Sequence, residues 1–196
     1  MGGHDSSAAK WYLAFCEAIR DPALAPQLRS AADGAQLRPW TELLTAAVVR
    51  ACGTVGWTCA AKGSGPSPLP VRRAEYLGID VLAFGPGAGW HLPMAAFELE
   101  NSSRDYLVGY ALWKACSVRA QLACLFCYRR NPEQIAALVR DLQRVLGDIG
   151  PESEVRITVG TRASAGTFPD DYFRPFSWNQ DARQLVALPA AVAVRA

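Results

Sequence analysis

Glu98-Leu99-Glu100 closes an apolar run, Leu92 to Glu100, that reads as a strand. Alternate side chains of a strand share a face, so Glu98 and Glu100 project together, about 7 Å apart. A preceding strand is expected from Glu75 to Phe84, with Asp80 alone among the apolar residues of Tyr76 to Phe84. The intervening Gly85-Pro86-Gly87-Ala88-Gly89 is a hairpin signal, which makes the two strands neighbours and brings three carboxylates around one point. A carboxylate inside an apolar strand loses hydration worth several kcal/mol unless it is paired or bound to a metal. Mg²⁺ suits such a donor set, because it takes one or two carboxylates together with water and substrate phosphate. Arg72, Arg73 and Lys114 are rival protein cations, and a pure salt-bridge network is the competing solution.

Around these strands the chain alternates. Ser6 or Ser7 caps a helix carrying Trp11, Tyr12, Phe15, Cys16 and Ile19, which Pro22 ends. Asp21 to Arg38 reads as a loop with one helical turn from Pro26 to Ala32, and Thr41 to Ala51 as a second helix stopped by Gly53. Glu42 falls in that helix's first turn, where the helix dipole accounts for it. Val55 to Ala61 is a short strand, and Lys62 to Pro70, with three prolines and two glycines, is a loop, by default an ordinary surface loop and by its position between two strands a candidate flap over a site.

Ser102 opens a capping-box-like start to a helix bearing Tyr106, Leu107, Tyr110, Trp113, Lys114 and Val118. Gln121 to Tyr128 is apolar throughout, as in a strand covered on both faces. Asn131-Pro132 starts the most regular amphipathic helix, ending at Gly147, and Val155 to Val159 alternates as a last strand. Phe168 to Trp178, broken by Pro169 and Pro175, is expected to pack as irregular structure. Hairpin-linked strands followed by helical crossovers imply an α/β fold, a mixed central sheet flanked by helices. One domain over residues 1–196 is expected: N-terminal helices to 54, a core over 55–128, and a C-terminal helix, strand and aromatic segment over 129–196.

The element order and acids resemble the core of the PD-(D/E)XK nuclease superfamily, the restriction-endonuclease-like fold. The likeness spans Thr41 to Tyr128, with Asp80 at the motif's first Asp and Glu98 at its following acid. It implies that Asp80 and Glu98 bind Mg²⁺ or Mn²⁺ with the backbone carbonyl of Leu99. The metal then activates water and stabilises charge on a phosphodiester of DNA. Glu100 stands where the family's Lys is usual, and Lys114 from the following helix is placed to supply that charge. On this reading Asp80, Glu98, Glu100 and Lys114 are the catalytic set. A nuclease cutting both strands would act as a homodimer. The alternative is an inactive nuclease-like module serving a protein complex or nucleic acid, with Tyr172, Phe173, Phe176 and Trp178 as exposed-looking aromatics.

Other chemistries lack their residues. His4 and His91 are the only histidines, which argues against a His-based hydrolase. Cys124-x-x-Cys127 has zinc spacing, yet within a strand its thiols point to opposite faces. No P-loop sequence occurs, Ser102 and Ser103 have a capping explanation, and a glycosidase needs acids across an open cleft. The net charge of +2 neither demands nor excludes nucleic acid, although seventeen of the 20 basic residues are arginines, whose forks suit phosphate. Six cysteines in apolar segments and the absence of a basic-apolar leader point to a reducing cytoplasm, and no apolar run is long enough to span a membrane.

Overall fold

The computed structural model describes residues 6–34, 36–63, 67–71, 73, 75–161, 165–166 and 168–189. Three helices come first: α1 (Ser7–Ala18), α2 (Ala25–Asp33) and α3 (Leu37–Thr54). Ser6 caps α1, its Oγ accepting the Ala9 N–H at 3.2 Å. Between Asp21 and Arg38, where a single turn was expected, α2 runs for 9 residues and α3 begins at Leu37. Pro39 sits in the first turn of α3, where a missing N–H costs no intrahelical bond.

The strands are β1 (Thr58–Ala61), β2 (Val81–Phe84), β3 (Ala95–Leu99), β4 (Leu122–Arg129), β5 (Glu154–Thr161), β6 (Phe173–Asn179) and β7 (Gln184–Ala187). They form one mixed sheet in chain order. The β1–β2–β3 meander is antiparallel, β3, β4 and β5 are parallel, and β6 and β7 return antiparallel. Each parallel step is made by a helix, α4 (Asp105–Ser117) before β4 and α5 (Pro132–Ile149) before β5.

Every residue of β4 is buried, which explains why its sequence is apolar rather than alternating. Cys124 and Phe126 join the core under α1 and α3, whereas Ala123, Leu125 and Cys127 join the core under α4 and α5. The two thiols of Cys124-x-x-Cys127 therefore lie on opposite faces. In the first core, Trp11 packs on Phe97 with ring centroids 4.7 Å apart, and Phe15 on Phe126 at 5.1 Å.

The expected strand from Glu75 is shorter than its hydropathy implies. Leu77 and Gly78 both take positive φ, at 59° and 66°, so the chain turns there and β2 starts only after Asp80. The Ser102 start is also corrected, because α4 begins at Asp105 without a side-chain cap. Asn131 does cap α5, accepting from Gln134 at 2.9 Å, and that helix runs past Gly147 to a left-handed Gly150.

The aromatic C-terminal segment is a hairpin rather than irregular structure. Pro175 fits within β6 because its missing donor falls at the end of β7, where its carbonyl still accepts from Leu188 at 2.9 Å. Tyr172 and Phe173 are buried around Trp40, and Phe176 and Trp178 pack on the α5 side, so these rings do not form the exposed surface expected of them. Among the described residues no helix is long and apolar enough to cross a membrane.

Gly160 on β5 is covered by a ring: a Cβ there would lie 2.5 Å from Tyr128 Cδ1. Gly160→Ala is expected to lose roughly 1–3 kcal/mol of stability through overpacking. Gly109→Ala, whose Cβ would meet Val145 at an ordinary 3.6 Å inside α4, is expected to be neutral or stabilising by up to ~1 kcal/mol. Urea midpoints at unchanged slope would separate the two; equal midpoints would contradict the packing account.

Candidate functional site

The acids gather where the β2–β3 ladder stops. Its last pair is Val81 with Phe97, and one further step in the same register sets Asp80 opposite Glu98. Directly opposed residues of an antiparallel pair share a face. There is no strand backbone beyond β2 to receive the next N–H of β3, and the Asp80 carboxylate takes its place. Asp80 Oδ2 accepts the Leu99 N–H at 2.8 Å. Since a residue's N–H and C=O face the same neighbour in such a ladder, the Leu99 carbonyl also looks toward this edge.

Glu98 belongs to the face covered by α4. Its side chain is 5% exposed, and Lys114 of α4 brings Nζ to 2.8 Å from its Oε1. At that distance the ammonium and the carboxylate form a buried, charge-assisted pair. Burial is the main force raising the Glu98 carboxyl from its ordinary 4.5 to about 7. The nearby charges of Asp80 and Glu100 push the same way and Lys114 opposes them.

Lys114 is held by more than its ion pair. Nζ also donates to the Gly78 carbonyl at 2.9 Å and stands 5.9 Å from the Tyr110 ring centroid. Glu100 turns away from the pair, with Oε1 accepting the Ser102 N–H at 2.7 Å. Asn101 Nδ2 donates to Thr41 Oγ1 at 2.8 Å and ties the exit of β3 to α3.

The structure thus brings Asp80, Glu98 and Lys114 together and leaves Glu100 at the margin. Arg72 lies outside the described residues. Among the described residues no three His, Cys, Asp or Glu side chains gather in a metal-ready cluster. Two carboxylates and a carbonyl nevertheless match in kind what Mg²⁺ takes from a protein.

An open cavity of about 850 Å³ lies on the other side of Asp80, lined by Arg38, Thr41, Glu42, Lys62, Glu75 and Asp80 among others. Glu42 is paired there with Arg38 at 3.0 Å, an interaction that single-residue reasoning about the helix dipole missed. Lys62 was visible only as the first residue of the loop after β1, and it faces the same cavity as Asp80. Comparison with family models, with curated proteins and with solved structures yields no significant match.

Because Glu98 titrates higher in the folded chain than in the unfolded one, the folded state holds the extra proton between pH 4.5 and about 7. Stability therefore declines as pH rises across that window and levels off above it. Glu98→Gln is expected to flatten the decline, and Lys114→Met to carry it to higher pH. Urea unfolding from pH 5 to pH 9 measures both; a wild-type curve without the decline would refute the assignment.

Proposed function

We propose that the chain is a metal-dependent nuclease of restriction-endonuclease-like fold that hydrolyses phosphodiester bonds of DNA. The observation that carries this reading is Asp80 opposed to a buried Glu98 across the end of the β2–β3 ladder, with Lys114 2.8 Å from Glu98. Further support comes from the element order, in which α3, β1, β2, β3, α4 and β4 follow one another as the PD-(D/E)XK resemblance expects.

On this reading Asp80, Glu98 and the Leu99 carbonyl hold Mg²⁺ or Mn²⁺. When bound, the cation supplies Lewis-acid charge and lowers the pKa of water at the scissile phosphate. Lys114 neutralises Glu98 in the cation's absence, and its flexible stem lets the ammonium turn toward a phosphate oxygen. Glu100, half-buried at the margin of the pair, orients water by accepting a hydrogen bond from it.

A second reading is favoured by one observation: each acid already has a partner of its own. Asp80 takes the Leu99 N–H, Glu98 the Lys114 ammonium and Glu100 the Ser102 N–H, which is the bonding expected of an inactive nuclease-like module.

Incubation with plasmid and single-stranded DNA in Mg²⁺ or Mn²⁺ separates the two. Cleavage by the wild type should fall roughly 100-fold or more in Asp80→Ala and in Glu98→Ala. The same ions should raise the melting temperature of the wild type and not of Asp80→Ala. Equal cleavage in all three proteins would sink the assignment, and absence of both effects would leave the module reading.

A further inference from the structure

Helix α4 carries its candidate catalytic lysine beside a stripe of exposed rings. Tyr106, Tyr110 and Trp113 are 66%, 56% and 50% exposed and follow one another at i, i+4 and i+7. The buried side of the helix, Val108, Ala111, Leu112 and Ala115, is already satisfied by the sheet and α5, so the stripe is not core. Tyr110 and Trp113 hold their ring planes within 18° of parallel at 5.9 Å between centroids. Lys114 Nζ lies 5.9 Å from the Tyr110 centroid and reaches Glu98 on its other side.

Charge and shape narrow the occupant. Exposed Arg104 and Arg119 flank the rings, and Arg104 donates to the Tyr106 hydroxyl at 2.9 Å. Asp105, the acid on this stretch, is neutralised by Arg129. Flat aromatic faces bounded by cations and without an unpaired acid suit bases and phosphates. From Tyr106 to Trp113 the helix rises about 10 Å, the length of two to three bases at roughly 3.4 Å each. Leu77, 78% exposed at positive φ, extends the apolar surface toward Asp80, and its neighbour Gly78 is bonded to Lys114.

We propose that Tyr106, Tyr110 and Trp113 form a stacking platform for unpaired bases, which makes single-stranded nucleic acid, or a strand end peeled from a duplex, the substrate class of the adjacent acids. The substrate assignment rests on the nuclease reading, but the platform does not. Bases stack on Tyr110 and Trp113 on the outward side of α4 while phosphates follow Arg104, and Lys114, next to Trp113 in sequence and paired with Glu98, marks the side of the helix on which the strand continues toward the acids.

The test is anisotropy of a fluorescein-labelled mixed-sequence 12-mer and of the same sequence as duplex, in EDTA, together with quenching of tryptophan emission. Wild type should bind the single strand at least tenfold more tightly than the duplex, and Tyr110→Ala and Trp113→Ala should each weaken it about tenfold. Both rings are exposed, so these variants should melt like the wild type. Equal affinity for single strand and duplex, or no loss in either ring variant, would overturn the platform. No oligonucleotide binding, with a dimer in light scattering that Trp113→Ala abolishes, would overturn it in favour of a protein interface. Intact single-strand binding without metal-dependent cleavage would support the platform and remove only the nuclease reading.

Discussion

A single ammonium fixes the geometry of the candidate site. Lys114 reaches from α4 to Glu98 on β3 at 2.8 Å and to the Gly78 carbonyl, in the turn that leads to Asp80, at 2.9 Å. It thereby links the helix, the strand and the turn before β2. Without it a carboxylate only 5% exposed would face the underside of α4 uncompensated, a situation that destabilises a fold by several kcal/mol or forces protonation. The rise of Glu98 to about 7 shows how incomplete the compensation is: one cation does not offset burial together with two neighbouring acids.

That imbalance matters for function. A buried ion pair is commonly no better for stability than apolar residues of the same volume. Here the pair is also crowded by two further acids, so Glu98 is a carboxylate that an additional cation would stabilise. By contrast, Asp80 has a structural role independent of any ligand, since it replaces the missing backbone acceptor for Leu99. The two acids are therefore not equivalent. Asp80 maintains the ladder's end through a backbone hydrogen bond, and Glu98 ties β3 to α4 through its pair with Lys114.

Legibility in the sequence followed the range of the interactions involved. The hairpin, the crossover helices and the doubly buried β4 were readable because glycine, proline and hydropathy act locally. Cys124 and Cys127 were correctly expected on opposite faces from alternation alone. The turn at Leu77 was not readable, because a non-glycine residue at φ 59° carries no compositional signal. The β6–β7 hairpin was missed since Pro175 marks a break by local rules, while its tolerance depends on where β7 ends. At the site, the proximity of Asp80, Glu98 and Lys114 was legible from strand order and helix phase. That Glu100 turns to Ser102 depends on the path of the chain after β3, whereas the Arg38–Glu42 pair is an i,i+4 helix contact that was missed because the helix was expected to begin at Thr41 and begins at Leu37.

The placement of Asp80 also determines how a substrate would enter. By register it shares a face with Glu98, under α4, yet it lines the cavity formed with α3 and Lys62. Both are satisfied because Asp80 stands where the ladder ends, and its carboxylate lies along the edge toward Leu99 rather than above a sheet face. Approach from above β3 is closed by α4, and approach from below by the aromatic core around Trp11 and Phe97. The open route runs along the edge, between the α3 cavity and the turn at Leu77 that Lys114 holds. On the nuclease reading, an extended strand follows such a rim one residue at a time.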